Sequence, residues 1–315
     1  MRPLYLLAFV VSGHVASADV SSLYAGVPKS SEEIRILENP GFVVGYSDAR
    51  ENPLWVAFRL FPVTSTQTER RPSRFRTDSR TAARVRHADY TNSGYDRGHM
   101  APNYAIATRY GRTAQLETFL MSNICPQRPD LNRQVWRRLE QRVANGYAND
   151  LGEVWVVTGP IFDADRELLP TGVEIPDMFY QIILDELEGK PRALAFIVGQ
   201  DVGSRFPLES FLVSVDAVER ATGIDFFHEL EDATERALEE PVPQALWNVS
   251  LTRPSRGSPT IQEPATATTG TVYVTSSGSK YHRVGCSYLR NHSRPMSLEA
   301  AKRSYGPCSR CKPPR

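Results

Sequence analysis

Nine consecutive residues, Tyr95-Asp96-Arg97-Gly98-His99-Met100-Ala101-Pro102-Asn103, constrain this chain more than any other stretch. An acid, a base, a glycine and an imidazole stand side by side, and a Pro-Asn pair closes the run. Asp, Arg and Gly are poor strand formers, and Gly close to Pro-Asn marks irregular backbone, so a loop is expected here rather than a core element. A histidine held on such a loop can be exposed and aimed, which general-base chemistry requires. Taken alone, the pattern fits an ordinary surface loop equally well.

The tie is broken downstream. Met121-Ser122-Asn123-Ile124-Cys125-Pro126-Gln127, then Leu131-Asn132, then Trp136 and Leu139-Glu140 follow in that order. With Asp96-Arg97-Gly98-His99 they make an ordered set that resembles the DNA/RNA non-specific endonuclease family, the nucleases with a ββα-metal (His-Me finger) active site. The resemblance runs from about Leu23 to Phe227. It implies an α+β fold with a central, largely antiparallel sheet. It also implies cleavage of internal phosphodiester bonds in DNA and RNA, leaving 5′-phosphates, with one Mg²⁺ or Mn²⁺. In that reading His99 is the general base and Asn132 the metal ligand. Glu140 orients water around the ion, and Asn123 supports the His-metal geometry. Arg71 is the transition-state arginine, through the Arg-x3-Phe-Arg-x-Asp run of Arg71 to Asp78, with Arg70 and Arg74 as competitors. Arg97 contacts substrate or braces the loop.

The chemistry asks for such residues. A phosphodiester is an anion that repels hydroxide, so water must be deprotonated while the phosphate charge is shielded. A neutral imidazole suits the first task. A hard cation suits the second as Lewis acid and charge shield. Because Mg²⁺ keeps most of its waters, one protein amide oxygen can hold it when substrate supplies another ligand.

Charge is unevenly distributed. Residues 69–112 hold ten Arg and no Lys against four acids, a local excess expected to recruit polyanions, since arginine forks suit phosphate oxygens. The last 45 residues carry nine Lys/Arg against Glu299, so a basic tail hangs on an acidic body.

Several elements can be read directly. Gly41–Tyr46 and Pro53–Leu60 flank a Ser-Asp-Ala-Arg turn and predict a hairpin. Val154–Thr158 predicts a strand ended by Gly159-Pro160. Phe179–Leu184 and Ala193–Val198 predict buried strands joined through Gly189-Lys190-Pro191. Val135, Leu139 and Val143 repeat every four residues, predicting a helix over Gln134 to Val143 capped by Asp130. Asn132, Trp136 and Glu140 form a second line at the same spacing. If Asn132 already lies on the helix, it and Glu140 share a face roughly 12 Å apart along the axis, too far to bind one ion directly. Ser214 caps a short helix that Gly223 stops. Strands and helices in irregular succession argue independently for an α+β domain.

The ends read differently. Met1 to Ala18 has the features of a secretory signal peptide: Arg2, the apolar run Leu4 to Val11, and the small-residue site Ala16-Ser17-Ala18. An anchor that is never cleaved is the alternative. The apolar run is too short to span a bilayer, so no stable membrane insertion and a periplasmic or extracellular protein are expected. The nuclease domain is expected over residues 19–250 and a Thr/Pro/Ser/Gly-rich linker over 251–271. Residues 272–315 are expected to form a small basic domain around His282-x3-Cys286 and Cys308-x2-Cys311. Three thiols and an imidazole at these spacings can hold Zn²⁺ tetrahedrally, and a segment this short needs a staple. A disulfide between two of the thiols is the competing arrangement. The segment resembles the small metal-binding module of the Ada repair protein. Cys125 stands alone and is assigned no chemistry. Against the nuclease reading stand an exported nucleic-acid-binding protein with a decayed site and a phosphodiesterase for a small substrate.

Overall fold

The computed structural model describes residues 22–203, 206–249, 271–275, 279–282, 293–308 and 313. The expected signal peptide, residues 251–270 of the expected linker, Cys286 and Cys311 lie outside the described residues, and Thr271 already belongs to a strand. The chain divides into two compact units, residues 1–254 and 255–315.

The larger unit is built on a seven-stranded sheet in which every neighbouring pair is antiparallel. Its order is Leu212–Val213, Lys190–Gly199, Met178–Leu187, Val154–Ile161, Asn52–Leu60, Phe42–Ser47 and Arg35–Asn39. The expected hairpins are present, with Phe42–Ser47 paired to Asn52–Leu60 and Met178–Leu187 paired to Lys190–Gly199. Layers cover both faces of the central strands, so these read as almost unbroken apolar runs rather than alternating ones. Val44, Val56 and Phe58 point into one core and Val43, Ala57 and Tyr180 into the other. The first core also takes Val135, Trp136, Leu139 and Val143 from the helical stretch after residue 130. The second takes Val215, Val218 and Leu238 from the two C-terminal helices. This is an α+β unit.

Three expectations need correction. Gly159-Pro160 does not end its strand: Pro160 pairs with Phe179 and the strand runs to Ile161. Glycine is required at 159 because a Cβ there would strike the Leu54 carbonyl. The helix does not begin at Gln134 under an Asp130 cap. Asp130 is itself helical and makes no capping bond, and the winding runs from a π segment, Leu131–Trp136, into the α segment Arg137–Arg142. A second π segment, Val143–Tyr147, follows.

The third correction concerns the opening stretch. Asp96–His99 is a strand, paired antiparallel with Ile124–Gln127. Tertiary pairing overrides the poor propensity of Asp, Arg and Gly. Gly98 lies against the Gln127 side chain, and any Cβ there would overlap it. The Ser214-capped helix forms as expected: Ser214 Oγ accepts from Ala217 N at 3.1 Å, and Gly223 closes it in the left-handed conformation at φ +67°. Among the described residues, no helix is long and apolar enough to cross a membrane.

The smaller unit contains a four-stranded sheet ordered Ser293–Ser297, Thr271–Thr275, Lys280–His282 and Gly306–Pro307, with a helix over Leu298–Lys302. Its apolar core holds Val272, Val274, Tyr281 and Ala301, a small cluster for an independent fold. Lys280–His282 and Gly306–Pro307 run parallel, and Cys308 N donates to Tyr281 O at 3.0 Å. That register brings two of the four expected ligands, the buried His282 and Cys308, to the same end of adjacent strands.

Candidate active site

The Asp96–His99 strand, the start of the Asn103–Glu117 helix and the helical stretch from Leu131 onward enclose a cleft of about 400 Å³. His99, Arg71, Arg97, Asn132 and Glu140 line it, together with Asn103, Arg137, Gln141 and Asn145.

His99 ends its strand and is only 8% exposed. Phe75 and Phe119 wall its ring, with centroids at 5.3 Å and 5.0 Å. Its Nε2 is buried without a hydrogen-bond partner. Burial, reinforced by the Arg71 guanidinium, drives its pKa down to about 3, so the ring is neutral. Arg71 stacks over Phe119 at 5.4 Å and acts electrostatically on both His99 and Glu140. Of the three competing arginines, Arg71 lines the cleft. The Arg70 carbonyl is taken by Arg112, and Arg74 bears on His87 instead.

The helical line through the cleft is not the expected one. Trp136 is 1% exposed and belongs to the core. A π turn bonds i to i+5, so Arg137 rather than Trp136 stacks beyond Asn132. The α segment then brings Glu140 and Gln141 onto the same side, and Ala144 and Asn145 follow. The Asn132 amide is held from behind: its Nδ2 donates to Asp96 Oδ2 at 2.9 Å. Arg133 grips the same carboxylate with Nε at 2.8 Å and Nη2 at 2.6 Å. Burial alone would raise the Asp96 carboxyl, but the bonds from Arg133 and Asn132 outweigh it and hold it below its ordinary value. With its nitrogen committed to Asp96, the amide has its oxygen left to offer a cation. Glu140 is half-buried, and desolvation pushes its carboxyl up to about 8 against the pull of Arg71 and Arg137.

Two supporting roles gain definition. Asn123 does not line the cleft. It is fully buried, with Oδ1 accepting from Ala101 N at 2.8 Å and Nδ2 donating to the carbonyls of Ala101 and Thr118, each at 3.0 Å. Its backbone carbonyl also accepts Met100 N at 3.0 Å. It is a clamp on the residues after His99, not a group that meets substrate. Replacing it by Ala strands three buried backbone groups at about 1–3 kcal/mol each. Asn123→Ala should therefore lower unfolding free energy by roughly 3 kcal/mol or more in urea melts, well beyond an ordinary surface change. Arg97 lines the cleft, but its Nε and Nη2 donate to the His87 carbonyl at 3.1 Å and 2.6 Å, and Nη2 reaches Thr91 Oγ1 at 3.3 Å. Its main work is to brace the loop.

The arginine excess is likewise smaller as a recruiting surface than its count suggests. Arg76, Arg80, Arg86 and Arg112 pair with Glu117, Asp78, Asp89 and Glu69. Arg109 serves the carbonyls of Phe61 and Ala144. Cys125 is completely buried, and burial drives its thiol pKa well up, so it is inert.

Sequence reasoning passed over Asp96 as the group orienting Asn132, and over Asn103, whose buried Oδ1 has no partner. Asn103 stands directly after Pro102 at the start of the Asn103–Glu117 helix, so its nearness to His99 was the available signal.

The fit to a divalent cation rests on this donor set: an amide oxygen oriented by Asp96, a carboxyl whose raised pKa a cation would reverse, and unpaired polar atoms on His99 and Asn103. The amide and carboxyl oxygens among them are hard donors of the kind a divalent cation such as Mg²⁺ takes, and His99 stands beside them as a neutral nitrogen.

Comparison with known proteins leads to the same place. Residues 20–233 match the family model described as DNA/RNA non-specific endonuclease. Mitochondrial endonuclease G of Homo sapiens is 33% identical over 201 residues, covering 59% of this chain and 67% of the human protein. Nuclease C1 of Cunninghamella echinulata var. echinulata is 31% identical over 233 residues, covering 68% of this chain and 90% of the fungal one. Among solved structures, a chain in the crystal structure of the EndoG/EndoGI complex superposes with a TM-score of 0.58 at 27% identity, covering 66% of this chain and 89% of that one. The ordered motifs, the cleft they build and the match over residues 20–233 place this chain in the DNA/RNA non-specific endonuclease family, as a metal-dependent endonuclease.

Proposed function

We propose that this protein is an exported, sugar-nonspecific endonuclease that hydrolyses internal bonds of DNA and RNA with His99 as general base and one Mg²⁺ or Mn²⁺ on Asn132. The observation that carries the reading is the convergence of His99, Arg71, Asn132 and Glu140 on one cleft. When bound, the cation supplies Lewis-acid shielding of phosphate charge. Asn132 would hold it, Asp96 would keep the amide turned, and Glu140 would add a negative charge beside it. His99 removes a proton from the attacking water. In the free cleft its pKa near 3 makes the ring a weak base. A phosphate anion beside His99 and Arg71 offsets the guanidinium and raises the basicity of the ring, against the larger effect of burial, which couples base strength to substrate binding. Arg71 is placed to meet the charge that builds on the phosphate in the transition state. Met1 to Ala18 supports export.

Nicking of supercoiled plasmid with and without EDTA, repeated on single-stranded DNA and RNA, tests this. Metal-dependent cutting of all three is expected. Binding without cutting would leave a nucleic-acid-binding protein.

The tail belongs to the same proposal: His282, Cys286, Cys308 and Cys311 bind Zn²⁺, and the module adds cationic side chains that meet long DNA. The burial of His282, which lowers its pKa, suits a neutral ligand. Ending the chain before Thr271 removes nine basic residues and Glu299 but none of the cleft. Turnover at saturating substrate should hold while KM on long DNA rises roughly ten- to hundredfold. For every phosphate that the tail no longer neutralises, the slope of log affinity against log salt should become shallower by about 0.9. Zinc analysis should find one ion in the full chain and none in the truncated one. An unchanged salt slope would give the tail a different role.

A further inference from the structure

The sheet face opposite the cleft carries a second concentration of carboxylates. There the Val215–Thr222 and Asp232–Glu239 helices pack on the Lys190–Gly199 strand and on each other. Asp216 and Glu219 stand one turn apart on the first helix, and Glu239 closes the second. One carboxylate oxygen from each lies within 4.8 Å of the other two. Glu239 is 7% exposed, and its Oε1 is buried without a hydrogen-bond partner.

An unpaired anionic oxygen at that depth is costly unless a cation meets it. The protein supplies little relief. Arg220 Nη1 reaches Asp216 Oδ2 at 3.6 Å, from a side chain that is 70% exposed. Glu219 Oε1 accepts Phe226 N at 2.8 Å. Asp225 and Glu235 add further negative charge around Glu239. Burial, followed by repulsion from Glu219 and its neighbours, pushes the Glu239 carboxyl up to about 8, and burial raises Glu219 as well.

We propose that Asp216, Glu219 and Glu239 form a Ca²⁺ site that ties the two helices together. Hard oxygen donors exclude the softer transition metals as preferred occupants. Mg²⁺ demands a near-ideal octahedron and dehydrates reluctantly, whereas Ca²⁺ takes six to eight oxygens in flexible geometry. That irregular geometry tolerates carboxylates brought together from two helices. The site shares no residue with the nuclease cleft and does not depend on what the cleft does.

The test is thermal melting of the full chain, dialysed free of Ca²⁺, with and without CaCl2. A rise of about 5–10 °C is expected at a hundredfold excess over Kd. Asn132→Ala should keep that rise, which separates this site from any ion in the cleft, and in that variant MgCl2 should give much less. Glu239→Gln should abolish the Ca²⁺ response, melt no lower than the dialysed parent because it removes a buried carboxyl whose Oε1 no protein group satisfies, and keep nuclease activity in saturating Mg²⁺. If Glu239→Gln does not fold, Asp216→Asn is read in the same way. The proposal is overturned if CaCl2 leaves the parent's melting unchanged, or if the response survives in the variant. It is also overturned if dialysed Glu239→Gln melts below its parent, since Glu239 would then be satisfied within the protein.

Discussion

His99→Ala should reduce turnover by about 10²- to 10⁴-fold, the usual consequence of removing a general base, while DNA affinity changes little. The neutral imidazole is the proposed base and lines the cleft, and its Nε2 makes no hydrogen bond within the protein. Removing it therefore breaks few stabilising polar interactions. The packing cost is real, because the ring sits between Phe75 and Phe119, and truncation leaves a gap beside them. His99→Asn fills more of that gap and should be equally inactive, which separates loss of the base from loss of packing. Single-turnover plasmid nicking, fluorescence anisotropy for affinity, and melting temperature together decide the matter. Full activity in either variant would remove His99 from the mechanism.

Asn132→Ala should raise the Mg²⁺ concentration for half-maximal nicking by more than about a hundredfold. The amide is the proposed protein anchor for the ion, and outer-shell changes alone commonly cost about 10- to 100-fold in metal affinity. Asp96→Asn should fall in that lower range. It loosens the 2.9 Å bond that turns the Asn132 amide and weakens the grip on Arg133, yet leaves the oxygen donor in place. Glu140→Gln should be milder still, because the side chain's shape is kept and one charge beside the ion is lost. Metal titrations of the three variants at fixed substrate give the order. If Glu140→Gln damaged metal affinity most, the roles of Asn132 and Glu140 would be exchanged.

Much of this architecture is encoded locally. The Phe42–Ser47/Asn52–Leu60 hairpin, the buried strands Met178–Leu187 and Lys190–Gly199, and the helix between Ser214 and Gly223 follow from turn chemistry, apolar runs and capping. Such signals involve residues close in the chain, so they can be read without knowing what lies across the fold. The ordered motifs likewise named the residues His99, Arg71, Asn132 and Glu140, and the structure brings them to one cleft.

What sequence alone could not settle depends on partners distant in the chain. Asp96–His99 becomes a strand because Ile124–Gln127 supplies its ladder, against its own propensity. The π segment at Leu131–Trp136 turns Trp136 into the core and puts Arg137 and Glu140 into the cleft, a change of period that no regular helical repeat anticipates. Asn123 becomes a clamp and Arg97 a brace through bonds to Ala101, Thr118 and His87. Arg71 is singled out from Arg70 and Arg74 by where its loop lies. The sequence determined which chemistry is present and most of the local elements that carry it. The tertiary structure decided which groups face the cleft, which hold them, and how far burial shifts their charge, because desolvation and hydrogen-bond direction depend on what surrounds a residue rather than on its neighbours in the chain.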